Sequence, residues 1–403
     1  VELPAQRGIV VNGKLAHLDW DPWSDLMDKL GTGAHQTAPE PEIAGANLDI
    51  GTLDIFDRRI NTVSLAAKST ADGWMAKLQS KEITGDVRWL SAGKGKVLAR
   101  LKSLAIPGPA PAKMGEPDDA GKTSDYPALD IVAENFEAKD KKLGRLELLA
   151  NQQGLDWNIE KLKLSNADST LILDGEWHSW KRRPNTSLNI NWDIDDLGKT
   201  LERFGYPDTI KGGSATLSGQ LKWPGSPHEF SLPGLSGNLT LEAKRGQFLK
   251  IQPGVGRLLG VLSLQALPRR LLFDFRDVFN DGFAFDQIGG NVRISQGVMK
   301  SDDFKMEGPA AKVAISGETN LDRETLNLHV KVNPSISDSL SLAAFAGGPA
   351  VGAAAFVAQK LLKDPFNKLA SYQYDIGGTW DDPQELKSSA ENSSKPAPSM
   401  PGK

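Results

Sequence analysis

Leu188-Asn189-Ile190-Asn191-Trp192-Asp193-Ile194 alternates apolar and polar side chains without a break. In an extended chain successive side chains point to opposite faces, so this run makes a ribbon with one greasy face and one wet face. A helical period of 3.6 would scatter the same apolar residues around an axis, so the alternation predicts a strand. Ala215-Thr-Leu217-Ser-Gly219-Gln-Leu221-Lys-Trp223 and Leu326-Asn-Leu328-His-Val330-Lys-Val332 read the same way. Shorter copies are Leu239-Thr-Leu241, Val292-Arg-Ile294 and Val313-Ala-Ile315. Gly, Asn, Asp and Pro punctuate these runs, as turn residues do between short strands.

Working outward gives on the order of 20 such runs, enough at about 4.8 Å per strand for a sheet of roughly 100 Å. An open sheet of that size curls or splits. The predicted fold is therefore mostly β: a long, curled, antiparallel sheet, wet on one side and groove-like on the other, made of repeated meanders with a few short helices. A loose internal repeat agrees with this. Leu48-Asp49-Ile50 opens a segment continuing through Leu65-Ala66-Ala67, Gly73-Trp74 and Gly85 to Trp89. Leu129-Asp130-Ile131 opens a second, with Leu148-Leu149-Ala150, Trp157 and Gly175-Glu176-Trp177 in the same order. The expected organisation is a meander over 1–107, a Pro/Gly-rich linker over 108–125, a second meander over 126–252, a C-terminal region over 253–386 and a tail over 387–403. Helices are expected at Trp23–Leu30 behind Asp21-Pro22, at Leu197–Phe204 ended by Gly205, at Val255–Ala266 stopped by Pro268, and within 340–369.

Chemistry is harder to find. Charged residues make up 24% of the chain with a net charge of −4, and no basic patch is concentrated enough to suggest nucleic acid. The absence of Cys removes disulfides, thiolate metal sites and a Cys nucleophile. His17, His35, His178, His228 and His329 have no metal-ligand spacing. The acidic pairs Asp118-Asp119, Asp195-Asp196, Asp302-Asp303 and Asp381-Asp382 read as turns rather than acid–base dyads. No nucleophile elbow, phosphate loop or dinucleotide fingerprint appears. The sequence therefore predicts no catalytic residue, no metal and no cofactor. Trp74, Trp89, Trp157, Trp177, Trp192, Trp223 and Trp380 sit in or beside strands, where packing explains them more simply than sugar stacking.

From Ser339 to Gln359 the chain carries no charge, and Lys360 and Lys363 follow. Gly347-Gly348-Pro349 breaks the stretch, so it reads as two short apolar helices that cap the sheet or dip into a membrane surface, rather than as one span. Leu342, Phe345, Val351, Phe356, Val357, Leu361 and Leu362 are the membrane-contact candidates. At the other end, Ile9-Val10-Val11 begins a strand in mid-pattern with no Met or apolar leader before it, as expected of a piece of a longer protein.

One stretch carries a family likeness. Pro253-Gly254-Val255-Gly256-Arg257-Leu258-Leu259-Gly260, Leu264-Gln265-Ala266-Leu267-Pro268-Arg269-Arg270-Leu271, Asp274-Phe275-Arg276-Asp277-Val278-Phe279 and Gly282-Phe283-Ala284-Phe285-Asp286 resemble the C-terminal region of YhdP-type proteins, in the AsmA-like group of Gram-negative envelope proteins. Tyr126-Pro127-Ala128-Leu129-Asp130, Leu221-Lys222-Trp223-Pro224-Gly225-Ser226-Pro227, Glu307-Gly308-Pro309-Ala310-Ala311 and Gly378-Thr379-Trp380-Asp381-Asp382-Pro383 fit the same pattern. The resemblance implies a non-enzymatic bridge across the periplasm, anchored in the inner membrane through an N-terminal segment absent here, that moves phospholipid toward the outer membrane in support of its lipid homeostasis. Phospholipid acyl chains are the implied partner, with the C-terminal apolar helices meeting the inner leaflet of the outer membrane. The acyl-contact candidates are then the inward apolar positions Leu188, Ile190, Leu217, Leu221, Leu239, Leu241, Val292, Ile294, Val313, Ile315, Leu328 and Val330. Arg269-Arg270 and Asp274 to Asp277 read as junction salt bridges, with headgroup contact as the sharper alternative. The competing function is an envelope scaffold with a filled interior that works with assembly proteins in outer-membrane protein biogenesis. A glycan-binding sheet using the tryptophans is the third.

Overall fold

A computed structural model describes residues 8–20, 43–55, 58–106, 126–154, 156–178, 184–227, 230–249, 283–309, 311–334 and 372–386. Their 19 strands belong to one open sheet. The chain divides into two compact units, one of residues 1–192 and 222–230, the other of 193–221 and 231–403.

In the first unit β1 (Ile9–Asp19), β2 (Ile43–Ile55), β3 (Arg58–Thr70), β4 (Gly73–Gln79), β5 (Ile83–Leu90) and β6 (Lys96–Ala105) pair in chain order. They are followed by β7 (Ala128–Ala138), β8 (Lys141–Gln153), β9 (Asp156–Ser165) and β10 (Ser169–His178), also paired in order, and then by β11 (Asn185–Ile194). The antiparallel expectation needs refinement at two joints, because β1–β2 and β6–β7 pair in parallel. A parallel neighbour requires the chain to return across the sheet, and the connections after β1 and β6 are the long ones that allow this.

These joints give the sequence repeat a physical cause. Leu48-Asp49-Ile50 lies in β2 and Leu129-Asp130-Ile131 in β7, each on the far side of a parallel joint. The two apolar side chains turn to one face while the Asp turns to the other and meets a base on the preceding strand. Asp49 pairs with Lys14 at 3.4 Å, and Asp130 pairs with Arg100 at 2.8 Å and Lys96 at 3.9 Å.

The second unit holds α1 (Leu197–Arg203), most of β12 (Ile210–Pro224), β13 (Ser236–Phe248), β14 (Phe283–Ser295), β15 (Val298–Glu307), β16 (Ala311–Asn320), β17 (Thr325–Pro334), β18 (Tyr372–Gly378) and β19 (Pro383–Leu386). From β13 onward each strand pairs antiparallel with the next. α1 is where the sequence placed it. The Asp196 side chain accepts from Lys199 N at 3.0 Å as its N-cap, and Gly205 follows the C-terminus at φ +93°. The helices expected at Trp23–Leu30, Val255–Ala266 and 340–369, the stretch 108–125 and the tail 387–403 lie outside the described residues, as do Arg269, Arg270 and Asp274 to Asp277.

Inward glycines shape the sheet. Gly85 (φ +147°) backs onto Leu101 and Gly175 (φ +154°) onto Leu188, with the neighbouring carbonyl oxygen 2.5 and 2.1 Å from where a Cβ would stand. Only glycine allows that approach at that φ, and such kinks are how strands bend across a sheet. One sequence reading is corrected: Asp302-Asp303 is not a turn but lies inside β15, where a bulge between Ser301 and Phe304 takes up the extra residue.

Candidate functional site

Cross-strand partners share a face, so the register shows what each face carries. In the first unit one row runs Gly13, Leu48, Leu65, Leu78, Gly85, Leu101, Ala133, Leu146, Leu164, Leu171, each residue directly opposite the next from β1 to β10. Beside it runs Val11, Ala46, Ala67, Ala76, Val87, Ala99, Ile131, Leu148, Leu162, Leu173. Neither row contains a polar side chain across ten strands. The middle is buried at Ala99, Leu101, Ala133 and Leu146, which form one core with Phe136. On either side Leu48, Leu65, Leu78, Val87, Leu162 and Leu173 keep part of their surface accessible. Among the sequence candidates, Leu188 and Ile190 extend this face on β11 and are half-buried, and Leu188 packs against the Ala150–Trp157–Trp177 core.

The second unit presents its own apolar face. Gly219 backs onto Leu239 and Gly237 onto Leu221, which puts Leu217, Leu221, Leu239 and Leu241 on one side of β12 and β13. Leu239 is opposite Val292, and Gly237 is opposite Ile294. Further on, the row Ala243, Ile288, Met306, Val313, Val332 and the row Phe304, Ile315, Val330, Tyr374 continue the same side, with Leu328 opposite Ile376. All ten candidates in this unit therefore share one face, but they are not equally accessible. Leu217, Leu221, Leu239 and Leu241 are half-buried, whereas Val292, Ile294, Val313, Ile315, Leu328 and Val330 are buried.

The opposite face is polar and tied across strands. Glu147 accepts from Lys161 Nζ at 2.7 Å, which holds its carboxyl below the usual range, and Arg145 bridges Glu134 and Glu147 at 2.7 and 3.2 Å. Asn291 donates to Asp303 from its backbone N–H at 2.8 Å and its side chain at 2.7 Å, lowering the Asp303 pKa. His329 lies on this side, 2.9 Å from Asp375, as its place in the alternation predicted. Exposed pairs of this kind each stabilise by about 1 kcal/mol or less; their consequence is that charge and apolar surface stay on separate sides.

A charged knot that the sequence reading missed stands at the end of β1–β3. Arg59 donates to both oxygens of the buried Asp54 at 2.8 and 2.6 Å, and His17 Nε2 lies 3.0 Å from Asp54 Oδ2. The Arg59 guanidinium holds the Asp54 carboxyl down to about 2. The partners are 5 and 37 residues away from Asp54, so only the strand register brings all three together. Trp157, Trp177 and Trp223 are buried, and Trp223 donates to Ser226 O at 3.0 Å. They are packing residues, while Trp89 keeps 36% of its surface exposed. Among the described residues no group of His, Asp and Glu could hold a metal ion, and no helix is long and apolar enough to cross a membrane. Leu342, Phe345, Val351, Phe356, Val357, Leu361 and Leu362 lie outside the described residues.

No solved structure matches the chain. It is 30% identical over 399 residues to a protein of Escherichia coli (strain K12) named "Intermembrane phospholipid transporter YhdP", an alignment covering 95% of this chain and 31% of that protein. The chain thus spans about a third of the length of the curated relative it matches. Residues 1–385 match the family described as YhdP protein. The chain belongs to the YhdP protein family.

Proposed function

We propose that this chain forms part of a non-enzymatic lipid conduit in the periplasm, in which phospholipid acyl chains lie along the apolar face while the headgroup stays in water. The observation that carries the reading is the pair of rows crossing β1 to β10 without a polar side chain, their surface accessible on either side of the buried Ala99, Leu101, Ala133 and Leu146. A diacyl phospholipid exposes roughly thirty methylene groups, and at about 0.8 kcal/mol each their exposure to water costs on the order of 20 kcal/mol. A carrier must therefore cover the chains along the whole path. A continuous apolar row does so without residue-specific binding, and curling of the sheet makes it a groove. The relative's printed name, an intermembrane phospholipid transporter, supports phospholipid as the cargo. In this reading the bridge runs from an inner-membrane anchor to the outer membrane, its C-terminal apolar stretch meets the inner leaflet there, and outer-membrane lipid balance depends on it.

The scaffold reading draws on a different observation, the buried face of β14–β18, which is filled like an ordinary core. Native mass spectrometry of gently purified chain separates the two. Co-purifying phospholipid supports the conduit, and chains free of lipid support the scaffold. Asp at Leu217 and Leu241 is expected to suppress photocrosslinking of lipid to β12 and β13 without unfolding the chain. Undiminished crosslinking would make those residues plain core.

A further inference from the structure

Within the second unit the apolar face changes character in one step. Along the middle of β12 and β13 Leu217, Leu221, Leu239 and Leu241 are half-buried, with Ala215, Trp223 and Ala243 buried at the ends of the same face, but Val292, the direct partner of Leu239, keeps only 9% of its surface. From there the face stays closed, with Val313 at 3% and Val330 at 4%. Buried aromatic rings cover two glycines on this side. The Phe285 ring lies over Gly246, with Cζ 2.5 Å from where a Cβ would stand, and Phe304 lies over Gly290 at 2.7 Å. Phe248 packs on Phe285 with ring centroids 5.2 Å apart, and all three rings are buried. In the first unit comparable burial is confined to the middle of the rows, at Ala99, Leu101, Ala133 and Leu146, and Ala46, Ala67 and Ala76 beside it stay accessible, whereas here it recurs on every strand from β14 to β17. A side chain covered to this degree offers no surface to a ligand, since close packing leaves no gap wide enough for a methylene chain.

We propose that the lipid-accessible face ends between β13 and β14 at the Leu239–Val292 pair, and that β14–β18 form a sealed plug whose apolar residues never touch acyl chains. This rests on the conduit reading and narrows it. Val292, Ile294, Val313, Ile315, Leu328 and Val330 become plug residues, and a lipid travelling along β12 and β13 leaves the face at Leu239 and Leu241 rather than continuing along the sheet.

The absence of Cys from the sequence makes the test clean. Single Cys residues are placed by Leu217→Cys and Leu239→Cys on the open strands and by Val313→Cys and Val330→Cys on the plug, in the whole 403-residue chain. Each variant is mixed with a phospholipid bearing a maleimide at the end of one acyl chain. Urea unfolding verifies the fold, and labelling after denaturation verifies the thiol. The proposal expects adducts at Leu217→Cys and Leu239→Cys to form roughly tenfold faster or more than at the plug sites, whose exposure requires local opening. Comparable rates at Val313→Cys or Val330→Cys in folded chain overturn the plug and leave the conduit standing. Adducts at none of the four sites overturn both.

Discussion

Ala76→Asp offers the sharpest perturbation of the apolar rows. Ala76 sits mid-row between Ala67 and Val87 and is half-buried, so a carboxylate there keeps water while the face is empty and the fold survives. An acyl chain crossing that point strips the water away. An unpaired carboxylate deprived of solvent costs several kcal/mol, and Asp is too short to reach the polar face. Even about 3 kcal/mol of that cost weakens lipid contact there roughly hundredfold. The neighbouring Lys77 points the other way and is exposed, so Lys77→Asp changes more charge but leaves the row intact. The reporter is Leu65→Cys, which lies in the adjacent row opposite Leu78, with the acyl-borne maleimide lipid as reagent. Ala76→Asp is expected to cut labelling about a hundredfold while Lys77→Asp leaves it near the parent rate. Equal labelling in both variants, with unfolding midpoints unchanged, would refute the claim that row continuity matters.

Three further outcomes follow from the packing. Gly175→Ala puts a Cβ 2.1 Å from Ser187 O at φ +154°. It should lower unfolding stability by about 2 kcal/mol or more in urea titration, and a neutral result would show that the kink there is not required. Met306→Ala, at one of the most deeply buried side chains, should cost about 2–5 kcal/mol by the same measurement. Asp54, held at about 2 by Arg59 against an ordinary 3.8, binds its proton less readily in the folded than in the unfolded chain. Its contribution to stability is complete above the ordinary value and is lost as pH falls through about 2, so acid unfolding should shift to higher pH in the parent than in Asp54→Asn relative to their neutral stabilities. Identical acid limbs would contradict the pairing.

Much of the fold was legible because side-chain alternation is a local signal. The runs at Leu188–Ile194, Ala215–Trp223 and 326–332 became β11, β12 and β17 with their apolar residues on one side. Capping chemistry likewise revealed α1, since Asp196 and Gly205 bracket it in sequence. What stayed hidden depended on pairing. Alternation does not say whether a neighbour runs parallel, so the joints at β1–β2 and β6–β7 could not be read, although Leu-Asp-Ile marked both. Nor does alternation measure cover: Leu239 and Val292 read alike, yet one is half-buried and the other buried. The Asp54–Arg59–His17 knot and the bulge at Asp302-Asp303 are products of register in the same way.

The central claim is that acyl chains lie on the two apolar rows, and the most direct measurement is a structure of the chain loaded with phospholipid brominated along its acyl chains. Bromine density strung over the Ala46–Leu173 row, and none on the side bearing Arg145, Glu147 and Lys161, is the predicted result. Rows covered by the chain's own atoms, with bromine absent or scattered over the charged side, would contradict it.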